Sequence, residues 1–243
     1  MSDAIFASVI VPAYNEEKYL ARCLTSLQRL SAELCFETIV VDNASTDRTK
    51  EIARDQGARV VFEPRRGIAR ALQTGADAAR GEILAFTDAD TFVPADWLQK
   101  LCRPLLSDSD VVAATGPFEY YDNPTMRFLT QLWFRLAYHR VEIAATRLGR
   151  GHMTLIGTNF AVRAEILQRI GGFDTRLRVC VDQDLSRRLA ALGRVVFLPE
   201  LLVYTSARRY NGDPDGTLSN YLINSLGMAT VGRVLLNEYP DFR

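Results

Sequence analysis

The sequence predicts an α/β protein: a Rossmann-like, mostly parallel sheet with helices on both faces, followed by a less regular second half. Three observations predict it. Short, almost wholly apolar runs recur through the first half, as expected of strands buried on both sides. Between them lie stretches whose apolar residues fall at helical spacing. The connections are short, so strand and helix alternate as in stacked βαβ units.

The elements follow in order. Ser8–Val11 reads as the first strand. Leu20, Cys23, Leu24 and Leu27 then fall at i, i+3, i+4 and i+7, predicting a helix from about Glu16 to Leu30 with Asn15 as its N-cap. Thr38–Val41 is the second strand, and Ser45 or Thr46 stands where it can cap the next helix, which Gly57 ends. Val60–Phe62 is a third strand, stopped by Pro64; a helix covers about Ile68–Ala79, up to Gly81; Ile83–Phe86 is a fourth strand. Pro94 opens a further helix and Val111–Ala114 is a fifth strand. In the second half, Thr125–Leu148 has a long helical pattern, Gly157–Val162 is strand-like and Ala164–Ile170 helical. Gly171–Phe173 forms a turn, Asp184–Leu192 a helix closed by Gly193, and Val195–Leu198 a strand.

With 243 residues and no repeat, low-complexity tract or linker, one continuous domain is expected, divided at about residue 115 and again at about 210. Residues 211–243 read as a helical extension. Twenty-nine basic and 29 acidic residues cancel, so no global field recruits nucleic acid, and an anionic ligand must be held locally. Cys23, Cys35, Cys102 and Cys180 show no CxxC spacing and read as free thiols of a reducing compartment. The start, MSDAIFASVIV, lacks the basic region and cleavage site of a signal peptide. No apolar run reaches the roughly 18–20 residues of a membrane span. Leu218–Leu236 is interrupted by Asn220, Asn224, Ser225 and Arg233. The expectation is a cytoplasmic protein, with peripheral contact at the inner face of the membrane left open.

Two apolar runs end in acids. VIVPAYNEEKYL begins at Val9, and FTDAD spans Phe86–Asp90. In open α/β sheets, ligands bind beyond the carboxyl ends of the strands. Asp42 ends the second strand, and Asp88 and Asp90 follow the fourth. On extended backbone, residues i and i+2 share a side, and two like charges held close need a cation or hydrogen-bond donors. Mg²⁺ or Mn²⁺ suits one or two carboxylates completed by phosphate oxygens and water. In the plainer alternative one acid caps the turn before Thr91 and the other is solvated.

VIVPAYNEEKYL, VVDNASTD, Gly67–Ala71 followed by ARGEILAFTDAD, and GTNFAVR before GGFD stand in an order that resembles the inverting family 2 glycosyltransferases of GT-A fold. The resemblance runs from about Ala7 to Leu198. It implies a nucleotide-sugar-binding half over about residues 1–115 and an acceptor and catalytic half over about 116–210. The implied donor is a nucleotide diphosphate sugar, a UDP-sugar in first place, and the acceptor a glycan or a lipid-linked hydroxyl. Pro12, Ala13, Tyr14 and Glu16 would then wall the base and ribose, with Asp42 accepting from a uracil-type N–H. Arg70 would face the donor phosphates. Asp88, Ala89 and Asp90 would meet the diphosphate, Asp88 and Asp90 through Mn²⁺ or Mg²⁺. Each has a plainer alternative: a turn-capping Asx for Asp42, helix-dipole stabilisation for Glu16, and a solvated cluster for Arg65 and Arg66. Oligomeric state is left open.

The resemblance also implies a general base, Asp182, in Val181-Asp182-Gln183-Asp184-Leu185. Its place at a helix N-terminus favours the ionised form. Asp184 reads as a first-turn helical acid. Two departures are visible: Val181 stands where relatives carry glutamate, and VYTSARR at Val203–Arg209 lacks the histidine that many relatives use as a metal ligand. Thr205 or Ser206 stands there instead, and Arg208 and Arg209 are placed to contact the diphosphate. His152, in GRGHMT, reads as a solvated loop histidine with an acceptor-side role as the alternative, and His139 receives no role. A sugar-1-phosphate nucleotidyltransferase is the first alternative, though Pro12–Glu17 carries two acids and no glycine where that chemistry wants a glycine-rich basic loop. A non-catalytic nucleotide-sugar-binding module is the second.

Finally, Leu129, Leu132, Trp133, Leu136, Val141 and Ala144 form an apolar stripe opposite Arg135, Arg140 and Arg147. Packing on the sheet is the expectation; a membrane-interfacial helix is the sharper reading.

Overall fold

The computed structural model describes residues 5–31, 34–138 and 153–208. The expected extension at 211–243, Val141 and Ala144 of the stripe, both histidines and Arg209 lie outside the described residues.

Seven strands form the main sheet in the order β3-β2-β1-β4-β7-β5-β8. They are β1 (Ala7–Ala13), β2 (Phe36–Asp42), β3 (Arg59–Phe62), β4 (Ile83–Phe86), β5 (Val111–Thr115), β7 (Phe160–Arg163) and β8 (Arg194–Phe197). All adjacent pairs are parallel except those made by β7, which runs antiparallel between β4 and β5. A small second sheet pairs β6 (Phe118–Tyr120) with β9 (Val203–Thr205).

Both faces of the sheet are covered because alternate strand residues point opposite ways. Val9 and Val11 pack with Leu20, Leu24 and Leu27 of α1 (Leu20–Leu27) and with Trp97 and Leu101 of α4 (Trp97–Ser107). Ala53 of α2 (Thr49–Asp55) joins that layer. Ile10, Val41 and Phe86 face the other layer, with Leu72 of α3 (Ile68–Ala78), Ile166 of α6 (Ala164–Arg169) and Leu185 of α7 (Val181–Leu189). Each fully buried Leu or Phe contributes about 1.5–3 kcal/mol.

Two expected helix starts are displaced for one reason. α1 begins at Leu20 and α2 at Thr49, so neither Asn15 nor Ser45 or Thr46 is an N-cap. Those side chains instead tie the two loops together: Ser45 Oγ accepts from Asn15 N–H at 3.1 Å, and Asn15 Oδ1 accepts from Thr46 N–H at 2.8 Å. Asp47 supplies the acceptor at the second helix start, taking Thr49 N–H at 3.0 Å.

The amphipathic stripe does not pack on the sheet. α5 (Pro124–Trp133) buries none of its residues, and a π-helical turn, Phe134–Tyr138, follows it. Leu129, Leu132, Trp133 and Leu136 are 43–53% exposed. Phe134 and Tyr138 make the inward contact instead, with ring centroids 6.2 and 4.7 Å from Phe197.

Candidate active site

Three neighbouring strands bring the acids to one edge. Ala13 at the end of β1 lies level with Asp42 of β2. Ile10 lies level with Phe86 of β4 and accepts from Thr87 N–H at 3.2 Å as the chain leaves that strand. Because β2, β1 and β4 are parallel, Asp42, the Pro12–Glu16 segment and Asp88–Asp90 all emerge beyond the same edge.

Asp42 is 3% exposed, and its Oδ1 accepts from Ser45 N–H at 3.0 Å. The Asx turn of the plainer alternative is therefore present. Asn43, a residue the sequence reading passed over, fixes the facing loop. Its Nδ2 donates to Glu63 O and Arg65 O at 3.0 and 2.8 Å, and its Oδ1 accepts from Gly67 N–H at 2.8 Å. That loop carries Arg66, whose guanidinium lies 3.9 Å over the Tyr14 ring. Arg66 is thus exposed but not a bystander, whereas Arg65 pairs with Glu63 at 3.3 Å. Arg70, half-buried in the first turn of α3, packs beside Gly67.

The DAD segment is not extended. Asp88–Thr91 is a turn closed by Thr91 N–H donating to Asp88 O at 3.1 Å, so strand alternation is not what gathers the two acids. Burial first, and then the charges of Asp90, Asp88 and Glu16, raise the Cys23 thiol far above its usual range. Ala89 is buried between them.

Arg208 clamps this group. Its Nε donates to Asp90 Oδ2 at 2.9 Å and its Nη2 to Glu16 Oε1 at 2.5 Å, while the guanidinium lies 4.4 Å over the Tyr19 ring. Glu16 precedes α1 by a turn and is held by this ion pair, so the helix-dipole alternative does not describe it. Thr205 donates to Asp90 Oδ1 at 3.2 Å and accepts from Thr91 Oγ1 at 2.9 Å, and Thr91 shares a 2.7 Å hydrogen bond with Thr158. Ser206 turns away and donates to Asp122.

Asp182 lies in the first turn of α7, after Cys180, which takes a left-handed conformation with φ 55°. Withdrawal from water, chiefly, raises its carboxyl to a pKa of about 6, and the Asp88 charge adds to the rise. N–H groups of Gln183, Asp182 itself and Gly157 pull the other way. The helix N-terminus does not win: desolvation exceeds it. Asp184 is structural. It accepts from Arg188 Nε at 2.7 Å, and Arg188 also donates to Ile170 O and Gly172 O, holding the GGFD turn. Gly172 there has φ 72°, and an added Cβ would collide with Gln73, whose Oε1 accepts from Phe173 N–H at 2.7 Å.

Asn159 was also missed. It is fully buried; its Oδ1 accepts from Trp97 Nε1 at 2.8 Å, and its Nδ2 donates to Pro117 O and Leu201 O at 3.0 and 2.7 Å. A carboxamide opening the apolar run Phe160–Val162 was the available signal.

The donor chemistry around Asp90 fits a hard divalent cation. Asp88 and Asp90 offer only oxygen donors, the kind that such an ion takes one or two at a time. Among the described residues no three His, Cys, Asp or Glu side chains form a ready-made metal cage, so such an ion would draw further ligands from diphosphate and water.

The family model described as glycosyl transferase family 2 matches residues 8–171. Asp182 and Arg208 lie beyond that span. Glycosyltransferase AglE of Haloferax volcanii is 28% identical over 200 residues, covering 77% of this chain and 62% of AglE. The chain therefore spans less than two thirds of that relative. Among solved structures, the mannosyltransferase PcManGT from Pyrobaculum calidifontis, in complex with GDP-Man and Mn²⁺, matches with a TM-score of 0.64 and 27% identity. The match covers 82% of this chain and 56% of that one. Glucosyl-3-phosphoglycerate synthase from Mycobacterium tuberculosis, in complex with Mn²⁺ and UDP-glucose, matches with a TM-score of 0.64 and 25% identity over 92% of this chain and 78% of its own. The mixed sheet and its two helix layers are the GT-A fold.

Proposed function

The chain belongs to glycosyl transferase family 2, and from that premise we propose that it transfers a sugar, with inversion, from a nucleotide diphosphate sugar to an acceptor hydroxyl. One observation carries the reading: Asp42, Glu16 and Asp88–Asp90 share one sheet edge, and the charge of Asp88 reaches Asp182. In this reading the nucleotide and the general base share one cleft.

In this reading Pro12, Ala13 and Tyr14 wall the nucleoside, with Arg66 stacked on Tyr14 and Asp42 at the base. Arg70 and Arg208 face the diphosphate. Asp88 and Asp90 hold Mn²⁺ or Mg²⁺, which when bound draws charge from the departing diphosphate. Asp182 orients the acceptor hydroxyl and takes its proton as the new C–O bond forms and the anomeric C–O bond to phosphate breaks. A carboxylate with a pKa of about 6 is deprotonated at neutral pH yet more basic than an ordinary aspartate, which suits that step. UDP-sugars are taken as the first donors to test: Asp42 can accept from the imide N–H of uracil, which thymine shares.

Thermal-shift screening of UDP-, GDP- and dTDP-sugars with and without Mn²⁺ tests the reading. Metal-dependent stabilisation by one nucleotide class is expected, with transfer to an acceptor panel by the wild type and none by Asp182→Asn. Failure of every nucleotide sugar to stabilise the chain would end it.

A further inference from the structure

We propose that Arg208 is a tethered cation that closes the metal position in the ligand-free protein and competes with the divalent ion for Asp90. The inference rests on the reading of Asp90 as a metal-bearing carboxylate.

Glu16 and Asp90 have side chains only 2% and 4% exposed, and carboxylates so withdrawn from water need a compensating charge. Arg208 compensates both at once, with one nitrogen on each. Its position is itself fixed: the guanidinium stacks on Tyr19, and its backbone N–H donates to Ser206 Oγ at 3.2 Å, directly after the strand that places Thr205 on Asp90.

An ion such as Mg²⁺ on Asp90 would sit about 2.0–2.1 Å from a carboxylate oxygen. The guanidinium already lies 2.9 Å from Oδ2. Two positive groups that close, on one carboxylate, repel strongly in a site with little water. Arg208 must therefore leave Asp90 when the ion arrives. The incoming diphosphate gives a freed guanidinium a bidentate acceptor. The exchange makes metal binding weak without nucleotide and stronger with it, so the acids stay neutralised between turnovers and the cation enters with the donor. A linkage of this kind is reciprocal: the metal tightens nucleotide binding by the same factor.

The test is the affinity for Mn²⁺ alone, read from the EPR signal of free ion without nucleotide. Arg208→Gln keeps a hydrogen-bonding side chain but removes the charge, and should bind Mn²⁺ about tenfold more tightly than the wild type. Equal or weaker binding by the folded variant would overturn the proposal. Should the variant not fold, the wild type still decides. Its Arg208 Nε–H NMR resonance, assigned by its loss in Arg208→Lys, should shift or broaden on saturation with diamagnetic Mg²⁺ alone. An unchanged resonance with Mg²⁺ bound would refute the exchange. If the wild type binds no Mn²⁺ even with UDP, the metal assignment itself falls, and this inference with it. Equal Mn²⁺ affinity in wild type and variant, both UDP-responsive, removes only the role of Arg208.

Discussion

Gly157 lies against the Asp182 carboxylate: a Cβ added to it would stand 3.5 Å from Oδ2, and its N–H favours the ionised form. This contact sets part of the balance that leaves Asp182 with a pKa of about 6, because burial raises it further than the backbone N–H groups lower it. A base must be ionised to accept a proton, so kcat/KM should fall tenfold per pH unit below a midpoint near pH 6. A rate independent of pH from 5 to 8, with chemistry limiting, would contradict the assignment. Asp182→Asn should abolish transfer and leave donor affinity within about twofold.

The same shift makes a stability prediction of definite sign. A carboxyl that holds its proton more tightly folded than unfolded stabilises the fold below its unfolded pKa of 3.8, and that contribution is lost as pH rises to about 6. Above that window the native state carries a poorly solvated charge, worth about 2–3 kcal/mol on this shift. Asp182→Asn should therefore melt higher than the wild type at pH 8, by several degrees, with the gap closing by pH 4. Equal gaps at both pH values would mean that the carboxyl titrates normally.

Asn159 makes a prediction about the scaffold. Its amide joins Trp97 of α4, Pro117 just before β6 and Leu201 in the loop before β9. Asn159→Leu keeps the branched shape but strips partners from one indole N–H and two carbonyls, and should cost about 3 kcal/mol or more in urea unfolding. A cost below about 1 kcal/mol for Asn159→Leu would show that water replaces the amide.

The strands of the main sheet were legible because each is an apolar run cut off by a polar or Pro/Gly signal. Direction was not: Phe160–Arg163 reads the same either way, and only pairing between β4 and β5 makes it antiparallel. Three-residue strands such as Val203–Thr205 carry too little pattern to be seen. Helix starts slipped where the capping side chains bond across loops instead, as Asn15 and Ser45 do. Asp42, Asp88 and Asp90 could be read because an acid ending a buried strand is conspicuous. The Arg208 clamp could not, since Asp90 lies 118 residues earlier and nothing local links them. The helix dipole at Asp182 was visible in sequence, but the larger opposing effect, burial, depends on the tertiary structure.

The exposed stripe on α5 and its π-helical turn supports a last prediction. Phe128, Leu129, Leu132, Trp133 and Leu136 are 43–63% exposed, five large apolar side chains on one short segment, and Arg135 beside them is exposed as well. A helix with that face and a cationic neighbour suits the lipid–water interface, where a lipid-linked acceptor would be met. The chain should therefore float with anionic liposomes at low salt. Burial of each large side chain contributes about 1–2 kcal/mol, so Leu132→Ser combined with Trp133→Ser should weaken flotation at least tenfold without lowering the melting temperature by more than about 2 °C, because neither side chain is in the core. Raising salt should weaken binding only modestly if the apolar face dominates, and strongly if the arginines do. No flotation at low salt would assign the stripe to something other than lipid.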